Sequence, residues 1–489
     1  MALRVALVVA ALRIGPSTGG SPRPWPTSAA DAAAAALAVR FSPTSLTKVG
    51  SSGTAPSHFW FPHVAAAFGP DKGTMLVSVR LADDSAQCVH PTCVGCSKIA
   101  PCKSGNTTTA LLSGDSGLSW QRARTAQLQQ ASLNLGGVKL AADTYMVAPS
   151  FHRHGDGPVW GDSTDSRQIV RTARDNLTVR QAPSQTVTFT GIPAEISSEM
   201  TGLIRWCEVI ALEGGGAAEI AQLEMPKSSP LGRSLAFFRT DNNLTFSFGG
   251  LIAAHRHSPF QNTSNGPCEA ALAEVSVRGL SHPVLLAVFR VDSFADYYHT
   301  TSADNGLTWQ PCTQLPKGMG SVRPRLRVFT TGPPGQEEQM VALVGGRPGL
   351  MLWVGSPAVV SSGTSASGSP TTGGIRWAWS ETNLALIQNE LVALPSHRAL
   401  RNTAYSAAWA NRTVLGSFDL HESTAYTHLF AVPPPPPPPA PRSRSTASTE
   451  EGAVASFVLL FDRLAHGWAG PPGPDLKEDY VFAMGFQLH

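Results

Sequence analysis

Charged side chains are scarce in this chain: Asp, Glu, Lys and Arg make up only 15% of 489 residues, and the formal net charge is +3. A balance that small, with no basic helix and no basic patch interleaved with aromatics, excludes the electrostatic footprint of a nucleic-acid binder. Long apolar runs are lacking too. No stretch approaches the roughly eighteen apolar residues of a membrane-spanning helix, so no membrane span is expected. Cysteine is limited to seven residues, and no Cys/His arrangement of a nucleophilic catalyst is visible.

What the chain has in quantity is glycine (45) and proline (39), beside 42% hydrophobic residues. That composition belongs to a turn-rich globular protein, not to a disordered one. A chain of 489 residues has room for several average domains, yet large all-β folds exceed that average as one unit.

The strongest local signal is Ser302-Ala303-Asp304-Asn305-Gly306-Leu307-Thr308-Trp309, which recurs as Ser113-Gly114-Asp115-Ser116-Gly117-Leu118-Ser119-Trp120. These residue types describe a β-hairpin turn. Asp accepts hydrogen bonds from the turn's own backbone, Gly supplies positive φ, Ser or Thr bonds locally, and Trp caps the sheet's apolar layer. Altered copies fit at Thr240-Asp241-Asn242-Asn243-Leu244-Thr245-Phe246 and at Thr372-Gly373-Gly374-Ile375-Arg376-Trp377, with a trace at Asp175-Asn176-Leu177-Thr178. From Asp115 to Asp175 is 60 residues, then 66 to Asp241, 63 to Asp304 and 68 to Thr372. A near-constant period with one turn signal each means one repeated supersecondary unit. The flanking short apolar runs, such as Val284–Phe289 and Met340–Val344, make that unit β. Radial repetition of small sheets gives a propeller. Five such units and a last one completed near the C-terminus predict an all-β, six-bladed β-propeller over residues 51–489.

Residues 1–20 read as a signal peptide: Arg4, the apolar run Val5–Leu12, then Gly15, Ser17 and Gly19-Gly20. An organelle transit peptide competes, because no acidic residue precedes Asp31 while Arg4, Arg13 and Arg23 are spread through the segment. Sequons at Asn106, Asn176, Asn243, Asn262 and Asn411 favour the secretory route. Residues 21–50 are expected to be a lead segment, with a short Ala-rich helix at Asp31–Val39. Cys88, Cys93, Cys96 and Cys102, with His90 among them, have a spacing that suits either zinc or two disulfides. The oxidising compartment favours disulfides. Pro433–Pro439 and the polar stretch after it form a polyproline rod and a disordered insert at 433–451, between two arms of one hairpin, Tyr426–Val432 and Ala453–Asp462. Ser361–Gly374 is a second small-residue loop.

The repeated octapeptide resembles the Asp-box of the sialidase and BNR-repeat families. The resemblance runs from about Phe59 to the C-terminus, and it implies a glycosidase with a Tyr nucleophile in place of a second carboxylate. A Glu activates that Tyr, an Asp acts as acid/base, and three Arg clamp the substrate carboxylate. Along the chain these arise as Arg, Asp, Glu, Arg, Arg, Tyr. By that order Glu269, in Cys268-Glu269-Ala270, matches the base, and Arg290, ending the apolar run before an intact octapeptide, matches the second Arg. Arg347, in Gly345-Gly346-Arg347-Pro348, matches the third, and Tyr426, in Ala425-Tyr426-Thr427, matches the nucleophile, with Tyr405 as a second candidate. The first Arg is missing. The family's Phe/Tyr-Arg-Ile-Pro is matched by Phe59-Trp60-Phe61-Pro62, so Trp60 stands in its place, and Arg80 is the residue positioned to compensate. Asp83 and Asp84 are the acid/base candidates, and His58 and His63 are expected to be polar strand residues. No metal and no cofactor are implied, and the partner would be a carbohydrate. The expectation is a secreted, sialidase-like, retaining exo-glycosidase. The alternative is a propeller that binds glycan or protein without cleaving it. Oligomeric state, sugar and linkage are left open.

Overall fold

The computed structural model describes residues 39–51, 58–68, 74–82, 88–89, 100–101, 107–113, 115, 117, 119–122, 137–141, 144–147, 151–152, 164–173, 178–181, 185–204, 207–226, 228–242, 245–291, 297–315, 322–332, 335–345, 350–360, 374–384, 426–432, 455–463 and 480–488. Nearly all of these lie in strands or the turns between them; a one-turn helix, Ala194–Ser197, is also present.

Four separate four-stranded antiparallel sheets follow the order of the chain. His58–Phe68, Thr74–Ala82, Thr107–Ser113 and Gln121–Arg122 form one. Pro267–Val275, Val284–Val291, Tyr298–Ser302 and Thr313–Gln314 form another, and Arg325–Thr331, Glu338–Gly345, Met351–Val359 and Ile375–Asn383 the next. Between the first and second of these, the strands from Gly137–Ala141 to Thr245–Ala254 make an eleven-stranded sheet, joined by parallel pairing of Gln185–Thr190 with Thr245–Ala254. The last sheet combines Thr427–Val432, Ala455–Arg463 and Tyr480–Leu488 with Val39–Ser51 from the other end of the chain. Closing the C-terminal sheet with an N-terminal strand locks a ring of sheets, the closure of a β-propeller.

The expected lead segment is thereby corrected at its end: residues 39–50 belong to the closing sheet. Their pairing with Tyr480–Leu488 breaks between Phe41 and Leu46 and again between Lys48 and Gly50. Pro43 lies in the first break, and a proline is tolerated at such an irregularity because it cannot donate to a ladder. The Ala-rich helix expected at Asp31–Val39 is contradicted at Val39, which is a strand residue, and otherwise lies outside the described residues.

Three of the four apolar clusters among the described residues fill the space between successive sheets. Leu343, Val288 and Trp353 pack between the Val284–Val291 sheet and the next; Met340, Leu352, Leu459 and Phe486 do so one sheet further on. A strand inside such a stack is covered on both faces, so Val284–Val291 is an almost unbroken apolar run instead of an alternating one. The arms of the expected C-terminal hairpin do pair, Thr427 opposite Phe461 through Val432 opposite Ser456. The insert at 433–451 and the loop at 361–373 lie outside the described residues.

Both octapeptides fold into the same turn. Ser302 Oγ donates to Asp304 Oδ1 (2.8 Å), Gly306 N donates to Ser302 Oγ (2.8 Å), Thr308 N to Asp304 Oδ1 (2.9 Å), and Trp309 Nε1 to Gly306 O (3.1 Å). The earlier copy repeats this set at 2.9, 2.8, 2.8 and 3.0 Å through Ser113, Asp115, Gly117, Ser119 and Trp120. Gly306 has φ +89°, and a Cβ there would meet the Phe237 ring of the preceding sheet at 2.2 Å. The turn is therefore also a spacer between sheets. The altered copy at 240–246 differs from expectation: Asn242, not Asp241, accepts from Thr245 N (2.7 Å), while Asp241 pairs with Arg239 at 3.5 Å. Asp304→Ala and Asp115→Ala should each lower stability by about 1 kcal/mol through lost turn bonds. Chemical unfolding checks this, and unchanged midpoints for both would contradict the turn's structural role.

Among the described residues Cys207, Cys268 and Cys312 are free thiols, so no disulfide is formed there. The side chains of Cys88, Cys93, Cys96 and Cys102 lie outside the described residues. No helix among the described residues is long and apolar enough to cross a membrane.

Candidate functional site

The site begins with an irregularity. In the antiparallel pair Pro267–Val275 with Val284–Val291, Cys268 faces Arg290 and Ala270 faces Phe289, which leaves Glu269 between them without an opposing residue. A bulge of this kind re-aims one side chain out of the strand's alternation. Glu269 remains buried at 3% exposure, and a buried carboxylate requires partners. Arg290 supplies one, its Nε 2.8 Å from Glu269 Oε2. Arg323, just ahead of the Arg325–Thr331 strand, supplies another, with Nη2 3.6 Å from Oε1.

Tyr426 completes this layer: its hydroxyl donates to Glu269 Oε1 at 3.4 Å, across 157 residues of sequence. The tyrosine is fixed from behind. Its backbone N–H donates to both oxygens of Asp462 (3.0 and 3.1 Å), and Asp462 N donates back to Tyr426 O (3.2 Å). Asp462 is fully buried at the end of the strand that partners Thr427–Val432. A buried phenol thus stands against a carboxylate held by two guanidinium groups. Such a carboxylate is placed to take the phenol's proton, and the cations around it favour an anionic ligand.

Burial alone would lower the Arg290 pKa, but Cys268, Glu269 and Tyr426 around it more than reverse that and raise it. Burial pushes the Cys268 thiol up, which keeps it protonated and unreactive.

A second layer lies two residues along the same strands. Glu208, also buried, receives Arg327 through two hydrogen bonds, Nη1 to Oε2 (2.6 Å) and Nη2 to Oε1 (3.0 Å). Arg325 Nη1 stands 3.8 Å from Glu208 Oε1, and His428 Nε2 stands 3.0 Å from the same oxygen. Burial would raise the Glu208 pKa, but Arg327, His428 and Arg325 outweigh it and hold the carboxyl well below its usual range. Burial lowers Arg325 to about 10 and His428 to about 3, so His428 is neutral. Its Nδ1 has no hydrogen-bond partner among the described residues. The same Nε2 also lies 3.0 Å from Arg327 Nη2. A proton on Nε2 donates to Glu208 and avoids an unpaired buried imidazole N–H, which is costlier than an unpaired lone pair.

Of the residues singled out by sequence, the structure brings Glu269, Arg290 and Tyr426 together. Trp60 and Arg80 are placed by backbone only: they face each other across the His58–Phe68 and Thr74–Ala82 strands, beside a bulge between Trp60 and Pro62. Arg347, Asp83, Asp84 and Tyr405 lie outside the described residues. Arg323, Arg325, Arg327, Glu208, His428 and Asp462 were not anticipated. A signal existed for the arginines, since Arg323-Pro324-Arg325-Leu326-Arg327 alternates with the period of a strand and so aims three cations at one face. Glu208 carried none.

No family model matches the chain, and no curated protein matches it. Among solved structures the chain is similar in fold to a Hadza microbial sialidase, at 11% identity over 90% of this chain and 68% of that one, TM-score 0.41. It is similar likewise to the intramolecular trans-sialidase of Ruminococcus gnavus, at 10% identity over 90% and 96%, TM-score 0.42. The parainfluenza virus 5 hemagglutinin-neuraminidase ectodomain gives 8% identity over 94% and 86%, TM-score 0.41. Scores and identities this low add no functional information to the side-chain geometry.

Proposed function

We propose that this chain is a sialidase-like, retaining exo-glycosidase for a carboxylate-bearing sugar, built on a six-bladed ring in which the eleven-stranded sheet counts as two blades. The observation that supports it most is the contact between Tyr426 Oη and Glu269 Oε1 at 3.4 Å, buried where three sheets meet. A neutral nucleophile suits an anionic sugar, because a carboxylate nucleophile would be repelled by the substrate's own charge.

In the first step the Tyr426 oxygen forms a bond to the anomeric carbon while Glu269 takes the phenol proton. The aglycone oxygen leaves with its bonding electrons and a proton from an acid, for which Asp83 and Asp84 are the candidates. Water then attacks the same carbon, giving its proton to that acid's conjugate base, and the Tyr426 oxygen departs and regains its proton from Glu269. Arg290 and Arg323 hold Glu269 and, with two positive charges against its one negative charge, leave the site cationic for the sugar's carboxylate.

The signal-like segment at residues 1–20 and the five sequons support a secreted protein. Asn262 sits exposed in a turn, where a glycan is sterically allowed. A mass measurement before and after deglycosylation, on protein from a eukaryotic secretory host, should show loss of sugar at that asparagine. An unchanged mass would contradict secretion by this route.

A second reading, a propeller that binds glycan without cleaving it, draws its support from Trp60. His58–Phe68 is the first strand of its sheet, as Pro267–Val275, Arg325–Thr331 and Thr427–Val432 are of theirs. An arginine at this position would add a charge-assisted pair to the sugar carboxylate, worth about 1.5–3 kcal/mol. Trp60→Arg should therefore tighten binding of a sialoside reporter by about tenfold or more. Reporter binding and hydrolysis are measured for parent and variant. A gain with turnover upholds the hydrolase, binding without turnover in either favours the lectin-like reading, and no gain means that the pocket is not built for an anionic sugar.

A further inference from the structure

Two segments of the site continue into the second layer: Arg323 leads into Arg325–Thr331, and Tyr426 leads into Thr427–Val432 of a different sheet. Side chains two apart on a strand share a face. Arg323, Arg325 and Arg327 thus form one row, and Tyr426 and His428 form another. Glu208, from the segment between Gly202–Ile204 and Ile210–Ala211, fastens the two rows together: it receives Arg327 bidentately at 2.6 and 3.0 Å and His428 Nε2 at 3.0 Å. With Glu269 it separates like charges, since Arg323 lies 3.6 Å from Glu269 and Arg325 lies 3.8 Å from Glu208.

We propose that Glu208 is a positioning residue, a carboxylate that sets where Tyr426 and Arg323 stand without itself touching the sugar. The proposal rests on the nucleophile reading only for its kinetic readout; the geometry stands apart from it.

The physical case is asymmetric. Arg327 is a quarter exposed, at 25%, and can turn to water when its partner is lost, whereas Arg325 and His428, at 2% and 0%, cannot. Removing the Glu208 charge leaves Arg325 buried beside two like charges, the arrangement in which a broken buried pair is most disruptive. The relief open to the chain is a shift of the Arg323–Arg327 row and of the strand bearing His428. Tyr426 is two residues from His428 and moves with it. A displacement of about 1 Å at a reacting group lowers rate by roughly a hundredfold.

The test follows Tyr426 directly. With only six tyrosines in the chain, the ring carbon bonded to the phenol oxygen can be observed by carbon NMR and assigned through Tyr426→Phe. Parent, Glu208→Gln and Arg327→Gln are compared for that resonance, for its phenol titration, and for kcat and KM on a sialoside reporter. In Glu208→Gln the Tyr426 resonance and titration should move, as should the Tyr297 resonance, whose hydroxyl donates to Val322 O beside Arg323 (2.6 Å), and kcat should fall by about a hundredfold with KM within about threefold. Glu208→Asp, which restores the charge at shorter reach, should recover part of both. An unmoved Tyr426 resonance in a folded Glu208→Gln protein overturns the proposal. If that variant does not fold, Arg327→Gln opens the same node from its exposed side, and a shifted or unshifted Tyr426 resonance decides. Should no protein, parent included, hydrolyse the reporter, the hydrolase reading fails and the Tyr426 resonance still decides the positioning role.

Discussion

Replacing Tyr426 by Phe should abolish hydrolysis of a sialoside reporter, lowering kcat by about a thousandfold or more while leaving the fold and reporter affinity close to those of the parent. The substitution removes one oxygen and nothing else. Phe fills the same volume, the backbone bonds from Tyr426 N to Asp462 at 3.0 and 3.1 Å do not involve the side chain, and Glu269 keeps Arg290 at 2.8 Å and Arg323 at 3.6 Å. Only the group that attacks the anomeric carbon is gone. Glu269→Gln should act in the same direction and less severely, since the phenol then lacks a proton acceptor but remains in place. Steady-state kinetics on the two variants check this. Turnover that persists in Tyr426→Phe removes this residue as nucleophile.

Stability should fall steeply as pH drops from about 6.5 towards 4, the range between ordinary and buried histidine titration. Burial lowers His428 to about 3, and burial lowers His299 to about 4 against the opposing effect of its hydrogen bond to the Thr313 backbone. A depressed folded-state value means that the unfolded chain takes up a proton that the folded chain refuses. The resulting stability is fully present above the unfolded value and is lost as pH falls through the window down to the folded value. Each such group contributes a slope of at most about 1.4 kcal/mol per pH unit. The depressed carboxyl of Glu208 adds loss of the same sign below the usual carboxylate range. His428→Gln keeps a side-chain N–H donor for Glu208 and cannot titrate. Urea unfolding at a series of pH values should show its slope reduced by close to one proton relative to the parent, a comparison that cancels the other histidines. Equal slopes in parent and variant would contradict a neutral, buried His428.

The propeller was legible because its turns use chemistry that few residues can supply. Ser302, Asp304, Gly306 and Trp309 each make a bond or adopt a φ that restricts their identity, so the pattern survives repetition and its period can be measured. Glu269, Arg290 and Tyr426 were legible through the family resemblance, whose order of Glu, Arg and Tyr they match at the head or end of a strand. The bulge that frees Glu269 was not, since register depends on the partner strand and leaves no trace in local composition. Nor was the use of Asn242 in place of Asp241, because either side chain can accept a turn bond and only the backbone path chooses. The closing strand Val39–Ser51 escaped notice because Pro43 and two breaks in pairing erase its alternation. Glu208 was invisible in principle. Arg327 lies 119 residues beyond it in sequence and His428 another 101 beyond Arg327, and only the ring of sheets brings them together.

The most direct measurement of the central claim is to trap the intermediate. A sialoside with a good leaving group and a fluorine beside the anomeric carbon slows the second step more than the first, so a glycosyl-enzyme accumulates if the mechanism is retaining. Mass spectrometry of the digested protein should then find one added sugar, carried by the peptide containing Tyr426 and by its phenol oxygen, with no label in Tyr426→Phe. A label on any other residue, or none under conditions where the parent turns the reporter over, would contradict the account.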